Sequence, residues 1–161
     1  MTAQRFTAPW SGRLVVLTTI ASAAIFGASF ASGSEDHWMI SGGLVLVWVY
    51  CLAGHVLGYD VDGQQLRIRR LLYSHTIDLR GIKRAERAPA VLRNAVRIGN
   101  GGLFSFSGWF FKRRQGWLRA VATDSGDRCV LLVFEDRRWV VSPDDPNGFI
   151  ETVLRAAGLD D

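Results

Sequence analysis

Two long apolar runs fill the first third of the chain, and after Leu57 they give way to short stretches in which apolar and polar residues alternate. Leu14 to Ala31 (LVVLTTIASAAIFGASFA) contains no charge and no proline. Trp38 to Leu57 (WMISGGLVLVWVYCLAGHVL) contains no Asp, Glu, Lys or Arg. A hydrocarbon core of about 30 Å takes roughly 20 helical residues at 1.5 Å rise. Both runs have about that length, and backbone in lipid must satisfy its own hydrogen bonds. The pattern therefore predicts two transmembrane helices, at about 14–31 and 38–57, paired as a hairpin. The first run has a signal peptide as its alternative, with Arg13 as the basic flank; its length and the second run straight after it argue against that. The second run has a buried core helix as its alternative, but it lacks the polar stripe of a surface-packed helix.

The connection Ser32 to His37 (SGSEDH) is short and acidic, whereas Arg5 and Arg13 precede the first run and Arg67, Arg69 and Arg70 follow the second. The positive-inside bias then predicts an integral protein of the inner (plasma) membrane with both termini cytoplasmic. Trp10, Trp38 and Tyr50 are candidates for the membrane interfaces. Gly27 in the first run, and Gly54 and Gly58 as a GxxxG at the end of the second, are candidate helix-packing positions. The plain alternative is that Gly and Ala are common in spans. His55 lies close enough to a helix end to reach the interface.

From Tyr59 the period is that of strands. Asp62-Gly63 is a hairpin turn. Leu66 and Ile68 alternate with Arg67 and Arg69, and Thr76 to Leu79 continue the alternation. Ile82–Arg87, Trp117–Thr123, Cys129–Phe134 and Trp139–Val141 follow as strands, with Asp124-Ser-Gly-Asp127 as a turn. Ser142-Pro-Asp-Asp-Pro146 stops the sheet and opens a helix. Phe149, Ile150, Val153, Leu154 and Ala157 share one face of that helix, and Gly158 ends it. The expectation is an α+β chain: a cytoplasmic N-terminus (1–13), a transmembrane hairpin (14–58), an antiparallel barrel or sandwich of about seven strands capped by a C-terminal helix (59–158), and a tail (159–161).

Composition sharpens this split. Apolar residues make up 48% of the 161 and charged residues 21%, with a mean hydropathy of +0.12. Between Arg67 and Arg119 stand thirteen Lys and Arg against two acids, Asp78 and Glu86; from Ala120 onward four Arg face nine acids. A basic half of this kind suits anionic lipid at about 1 kcal/mol per nearby cation, although loop bias alone also enriches Arg. Leu103 to Arg114 (LFSFSGWFFKRR) joins five aromatics to three cations. It reads either as a core strand, which would take about half of the aromatics, or as an interfacial loop. The candidate residues for lipid or partner contact are Arg67, Arg69, Arg70, Trp109, Phe110, Lys112, Arg113 and Arg114.

Candidate chemistry is sparse. His37, His55 and His75 fall in three different segments, and HExxH, P-loop and GxSxG motifs are absent. Gly99 to Gly102 is not a dinucleotide fingerprint, because the pattern breaks at Phe104. Cys51 and Cys129 belong to different segments, so no disulfide framework is expected. The reading is of a non-enzyme with no metal and no cofactor. Its partners would be anionic lipid, a protein or further copies of itself, and not nucleic acid. A structural subunit of a larger membrane complex is the alternative.

The order of motifs resembles the bacterial PH-domain family found behind one or two membrane helices. Tyr59-Asp-Val-Asp-Gly63 with Leu66-Arg-Ile-Arg69 is similar to its first hairpin, and Thr76-Ile-Asp-Leu-Arg-Gly-Ile82 to its third strand and exit. Gly99-Asn-Gly-Gly-Leu-Phe104 through Gly108-Trp-Phe110 is similar to its glycine-aromatic stretch. Val121-Ala-Thr-Asp124 and Val141-Ser-Pro-Asp-Asp-Pro146 with Phe149 are similar to its last strands and helix. The resemblance implies a PH-like barrel capped by a helix; with the two apolar runs and the basic half, the expectation is a membrane-anchored PH-like interaction or scaffold module that binds protein partners or anionic lipid headgroups at the inner leaflet. The resemblance implies no defined ligand. Phosphoinositide binding is not carried over, because Arg67, Arg69 and Arg70 do not match the spacing of the basic residues that eukaryotic PH domains use.

Overall fold

The computed structural model describes residues 3–31, 37–113 and 115–159. Among the described residues ten strands and three helices follow in chain order: β1 (Gln4–Thr7), α1 (Gly12–Ala31), α2 (His37–Ala53), β2 (Val56–Asp62), β3 (Gln65–Arg70), β4 (Ser74–Asp78), β5 (Ile82–Arg87), β6 (Val96–Leu103), β7 (Ser105–Lys112), β8 (Gly116–Ala122), β9 (Val130–Phe134), β10 (Arg138–Val141) and α3 (Pro146–Ala157). The strands form two sheets, β1-β2-β3-β4 and β5-β9-β10-β8-β7-β6. These pack as a PH-like sandwich with no closed barrel, which corrects the barrel alternative. The all-antiparallel expectation also fails at one place: β10 runs parallel to β8, with Trp139 opposite Arg119.

The inner faces follow from strand alternation. Phe6, Tyr59, Val61, Leu66, Ile68 and Ile77 from the first sheet meet Val121, Val130, Leu132, Trp139 and Val141 from the second, and Phe149 and Val153 of α3 close one end. Phe149 meets Phe6 edge-on at 5.1 Å between ring centres. α3 starts where the sequence predicts. The Asp145 carboxylate accepts from the N–H of Asn147 and Gly148 at 3.2 and 3.1 Å, Pro146 stands at the first turn, and Gly158 ends the helix at φ 72°. The far face of the second sheet packs a separate cluster: Phe106, Phe110, Leu118, Ala120 and Leu131 lie against Val91, Leu92 and the start of α1.

The expectation of two transmembrane spans, and with it that of a two-span inner-membrane protein, is overturned: among the described residues no helix is long and apolar enough to cross a membrane. Two local reasons are visible. α2 has 17 residues, which is about 25 Å of helix. The predicted span loses its last four residues because Gly54 turns the chain and Val56 and Leu57 already belong to β2. The first turns of α1, in turn, belong to the sandwich. Ser11 caps the helix by accepting from the Leu14 N–H, and its own hydroxyl donates to the Thr123 carbonyl. Leu14 is 0% exposed and Thr18 6%. The Thr18 hydroxyl donates to the Gly102 carbonyl at 3.1 Å and accepts from the Phe104 N–H at 3.0 Å. Farther out the two helices pair with each other, through Trp48 Nε1 donating to Ser22 Oγ at 2.8 Å and Phe26 edge-on to Trp48. Of the predicted acidic connection, Ser32 to His37, residues 32–36 lie outside the described residues, and His37 already belongs to α2.

The N-terminus, expected to be separate from the domain, is woven into it. β1 pairs with β2, Phe6 opposite Tyr59, and Asp144 accepts from both the Thr7 N–H and its hydroxyl, at 3.1 and 2.7 Å. Trp10 is likewise part of the domain. Its indole donates to His55 Nε2 at 3.2 Å, while His55 Nδ1 sits 3.0 Å from the Phe104 carbonyl. An acceptor at Nε2 beside a carbonyl at Nδ1 calls for the Nδ1–H tautomer. The imidazole thus rivets the leader, the end of α2 and the turn before β7.

Candidate functional site

The second sheet is wider than the first. β4 ends the first sheet, but the face that packs against it runs on across β8, β7 and β6. Cross-strand register puts Trp117, Phe111 and Val96 in one row on that face and Arg119, Trp109 and Ile98 in the next. All six side chains are exposed, Trp109 at 48%. The stretch 103–114 is therefore mostly strand. Phe104, Phe106 and Phe110 turn inward, and Trp109 and Phe111 stay outside.

Where this shelf meets the end of β3, the turn after it and the end of α2, there is a cavity of about 290 Å³. Arg70, Tyr73, Asn100, Ser107, Trp109 and Arg119 are among its lining residues, and among the described residues no acid lines it. Arg70, the last residue of β3, is held from one side: Nη1 donates to the Gly54 carbonyl at 3.0 Å and to Tyr73 Oη at 3.1 Å, and the guanidinium lies 5.2 Å from the centre of the Tyr73 ring. Its Nε–H is buried with no acceptor among the described residues. Arg119 stacks over Trp139 at 4.7 Å and flanks Trp109 at 5.8 Å. Among the described residues neither guanidinium has a carboxylate within 4.0 Å. The cavity floor is pared back by Gly99 and Gly108, which pair directly across β6 and β7 at φ 129° and 137°. A Cβ on Gly99 would come within 2.7 Å of the Ser107 carbonyl.

His75 on β4 reports the local field. Its ring stacks on Trp139 at 5.4 Å. Its pKa is lowered, first by burial and then by the positive charges of Arg119 and Arg70.

The predicted site residues divide sharply. Arg70 and Trp109 line the cavity. Arg67 is exposed on β3. Arg69 is neutralised, with Nε 3.1 Å from an Asp60 carboxylate that also takes Arg5 at 3.3 Å. Phe110, 2% exposed, is core and is corrected as a contact residue. Lys112 reaches back to the carbonyls of Ala90 and Val91 at 3.3 and 3.2 Å and braces that connection. Arg113 is exposed at the end of β7, and Arg114 lies outside the described residues. As for the candidate packing glycines, a Cβ on Gly27 would meet nothing, and one on Gly54 would sit 3.3 Å from Arg70 Nη1. Gly58 lies in β2, not in a helix, and lets β1 approach. Arg119 escaped sequence reasoning because it follows the alternation of its strand like any exposed position.

Comparison with curated proteins found no match, and comparison with solved structures found none either. The bacterial PH domain family matches residues 57–157, more than half of the chain, from the second residue of β2 to the end of α3. The chain therefore belongs to the bacterial PH domain family.

Proposed function

We propose that this protein is an interaction module that engages anionic lipid headgroups through the shelf of β6–β8 and the arginines around it. Family membership supports an interaction module for protein or lipid in general. The observation that carries the finer reading is the pairing of exposed aromatics with cations that have no carboxylate within 4.0 Å among the described residues: Trp109, Phe111 and Trp117 beside Arg119, with Arg113 at the strand end. Aromatic rings at a headgroup boundary supply apolar area, and each nearby cation adds about 1 kcal/mol against an anionic surface. The role is binding without catalysis.

The test is sedimentation of the full-length protein with phosphatidylcholine vesicles carrying either no or 30 mol% anionic lipid. Binding that needs the anionic lipid, falls as salt rises and weakens in Arg113→Glu and Arg119→Glu supports the reading. Equal binding to neutral vesicles, or none at low salt, overturns it.

A second reading is favoured by the helical hairpin, which exposes Val16, Ile20, Phe26, Leu46, Val47 and Tyr50. Apolar exposure on that scale marks a surface that something else covers. A partner protein or a second copy would do so, making the chain a structural subunit. A complex that survives deletion of residues 57–157 would favour this reading.

A further inference from the structure

Several cations in this fold are paired with carboxylates: Asp60 takes Arg5 and Arg69, Glu86 takes Arg84, and Asp124 takes Arg128; others, Arg67 and Arg113 among them, have no carboxylate partner among the described residues and line no part of this cavity. Arg70 and Arg119 are different. They come from separate sheets, lack acidic neighbours among the described residues, and line one cavity with neutral hydrogen-bonding groups. The geometry points to this cavity as a discrete receptor for a phosphate-type oxyanion, held between the guanidinium groups of Arg70 and Arg119. The inference rests on the headgroup reading and narrows it from a charged surface to one site.

Several features fit a tetrahedral oxyanion better than a simple carboxylate. The Nη1 of Arg70 is committed to Gly54 and Tyr73, which leaves the donors of Nη2 and of Nε, the latter buried with no acceptor among the described residues. Arg119 is spread against Trp139, so its donors point outward in the plane of the group. The Tyr73 hydroxyl accepts from Arg70 and keeps its own proton to donate. Ser105 and Ser107 share one hydrogen bond at 2.9 Å, so one of the two hydroxyls also keeps a free proton. Donors thus come from several directions, whereas a carboxylate presents only two oxygens. The depressed pKa of His75 agrees with a positive local field.

A phosphate group comes from two sources, a soluble phosphoester or a lipid headgroup, and the test separates them. The first arm titrates the full-length protein, labelled at the arginine side chains, with inorganic phosphate and with glycerol 3-phosphate while the Nε–H resonances are followed. The second arm compares vesicles carrying phosphatidic acid with vesicles of equal surface charge carrying phosphatidylserine. Arg119→Gln is the principal variant, because among the described residues its guanidinium makes no hydrogen bond and touches only the Trp139 and Trp109 rings. Arg119→Lys keeps the charge and removes the guanidinium fork, and Arg93→Gln, at an exposed position between β5 and β6 that does not line the cavity, is the surface control.

Saturable shifts of Arg70 and Arg119 on phosphate, weakened at least tenfold in Arg119→Gln and in Arg119→Lys but not in Arg93→Gln, support the site with a soluble source. No response to phosphate, together with a preference for phosphatidic acid that Arg119→Lys abolishes, supports the site with a lipid source. If neither arm responds to the Arg119 variants, the receptor is overturned. Should salt-sensitive binding to both anionic vesicles then persist and still respond to Arg113→Glu, the broader headgroup reading survives that failure.

Discussion

The phenol of Tyr59 ties three strands together. It is fully buried on β2, donates to the Val121 carbonyl of β8 at 2.7 Å, and accepts from the Ser142 N–H just beyond β10 at 3.0 Å. Burial pushes its pKa above the ordinary tyrosine value, so it stays a neutral donor. Tyr59→Phe keeps the ring and strands two buried backbone groups, which costs about 1–3 kcal/mol. Urea denaturation should show that loss with an unchanged m-value. Asp124 gives a pH-dependent counterpart. Burial alone would raise its pKa, but hydrogen bonds from the backbone N–H of Gly126 and Arg128 and from the Arg128 side chain outweigh it, so the pKa lies below the usual carboxylate value. A group depressed in this way contributes stability that is complete above the unfolded-state pKa, about 3.9. That stability is lost as pH falls through the lower folded-state value. Asp124→Asn should therefore be less stable than wild type at pH 6, with the gap shrinking below pH 4. A gap that is constant with pH would assign the loss to shape and not to charge. Neither role was legible in the sequence, where Tyr59 reads as the start of a strand and Asp124 as a turn residue. What gives them partners is a contact between strands more than sixty positions apart in one case and a buried loop in the other.

At the scale of elements, legibility followed the strength of the periodic signal. α3, β5, β9 and β10 lie within a residue or two of where the pattern predicts them, because each combines a clean apolar period with a turn or cap residue. β6 was missed: its exposed residues and its glycines at 99, 101 and 102 erase the alternation. β1 was missed because Phe6 is its only buried residue in four. The end of α2 was misplaced for a different reason. Val56 and Leu57 are as apolar as the helix before them, so hydropathy does not register the change from helix to strand that follows Gly54. The consequence reached Gly58, which reads as half of a helix-packing motif but works as a strand contact. A Cβ there would press into the Phe6 carbonyl oxygen and lie 2.7 Å from Arg69 Nη2. Backbone cannot yield as a flexible side chain can, so Gly58→Ala should cost about 1–3 kcal/mol, in the range of overpacking. Hydrogen exchange should locate the damage, with protection lost first at the β1–β2 pairs around Phe6 and Tyr59. Unchanged protection there would mean that β1 shifts without detaching.

For the whole molecule, the decisive asymmetry is that a six-stranded sheet faces a four-stranded one. The surplus strands carry a core-like face with no core against it, and β7 shows both sides of the arrangement within three residues. Phe110 points to the packed side beside Leu118 and Phe106; Trp109 and Phe111 point to the uncovered side. The sequence put these aromatics and cations in one stretch, but it could not say which would face inward, since that depends on where β4 stops. The split makes a paired prediction. Phe110→Ala empties a filled core position and should destabilise the fold by about 3–5 kcal/mol. Trp109→Ala combined with Trp117→Ala removes exposed rings and should leave stability within about 1 kcal/mol of wild type, while lowering partition onto anionic vesicles several-fold. Thermal unfolding and vesicle sedimentation on the same preparations separate the two effects. If the double variant loses as much stability as Phe110→Ala, the shelf is part of the core and its aromatics are not available to a ligand. If it keeps both stability and vesicle affinity, the binding face lies elsewhere on the basic half.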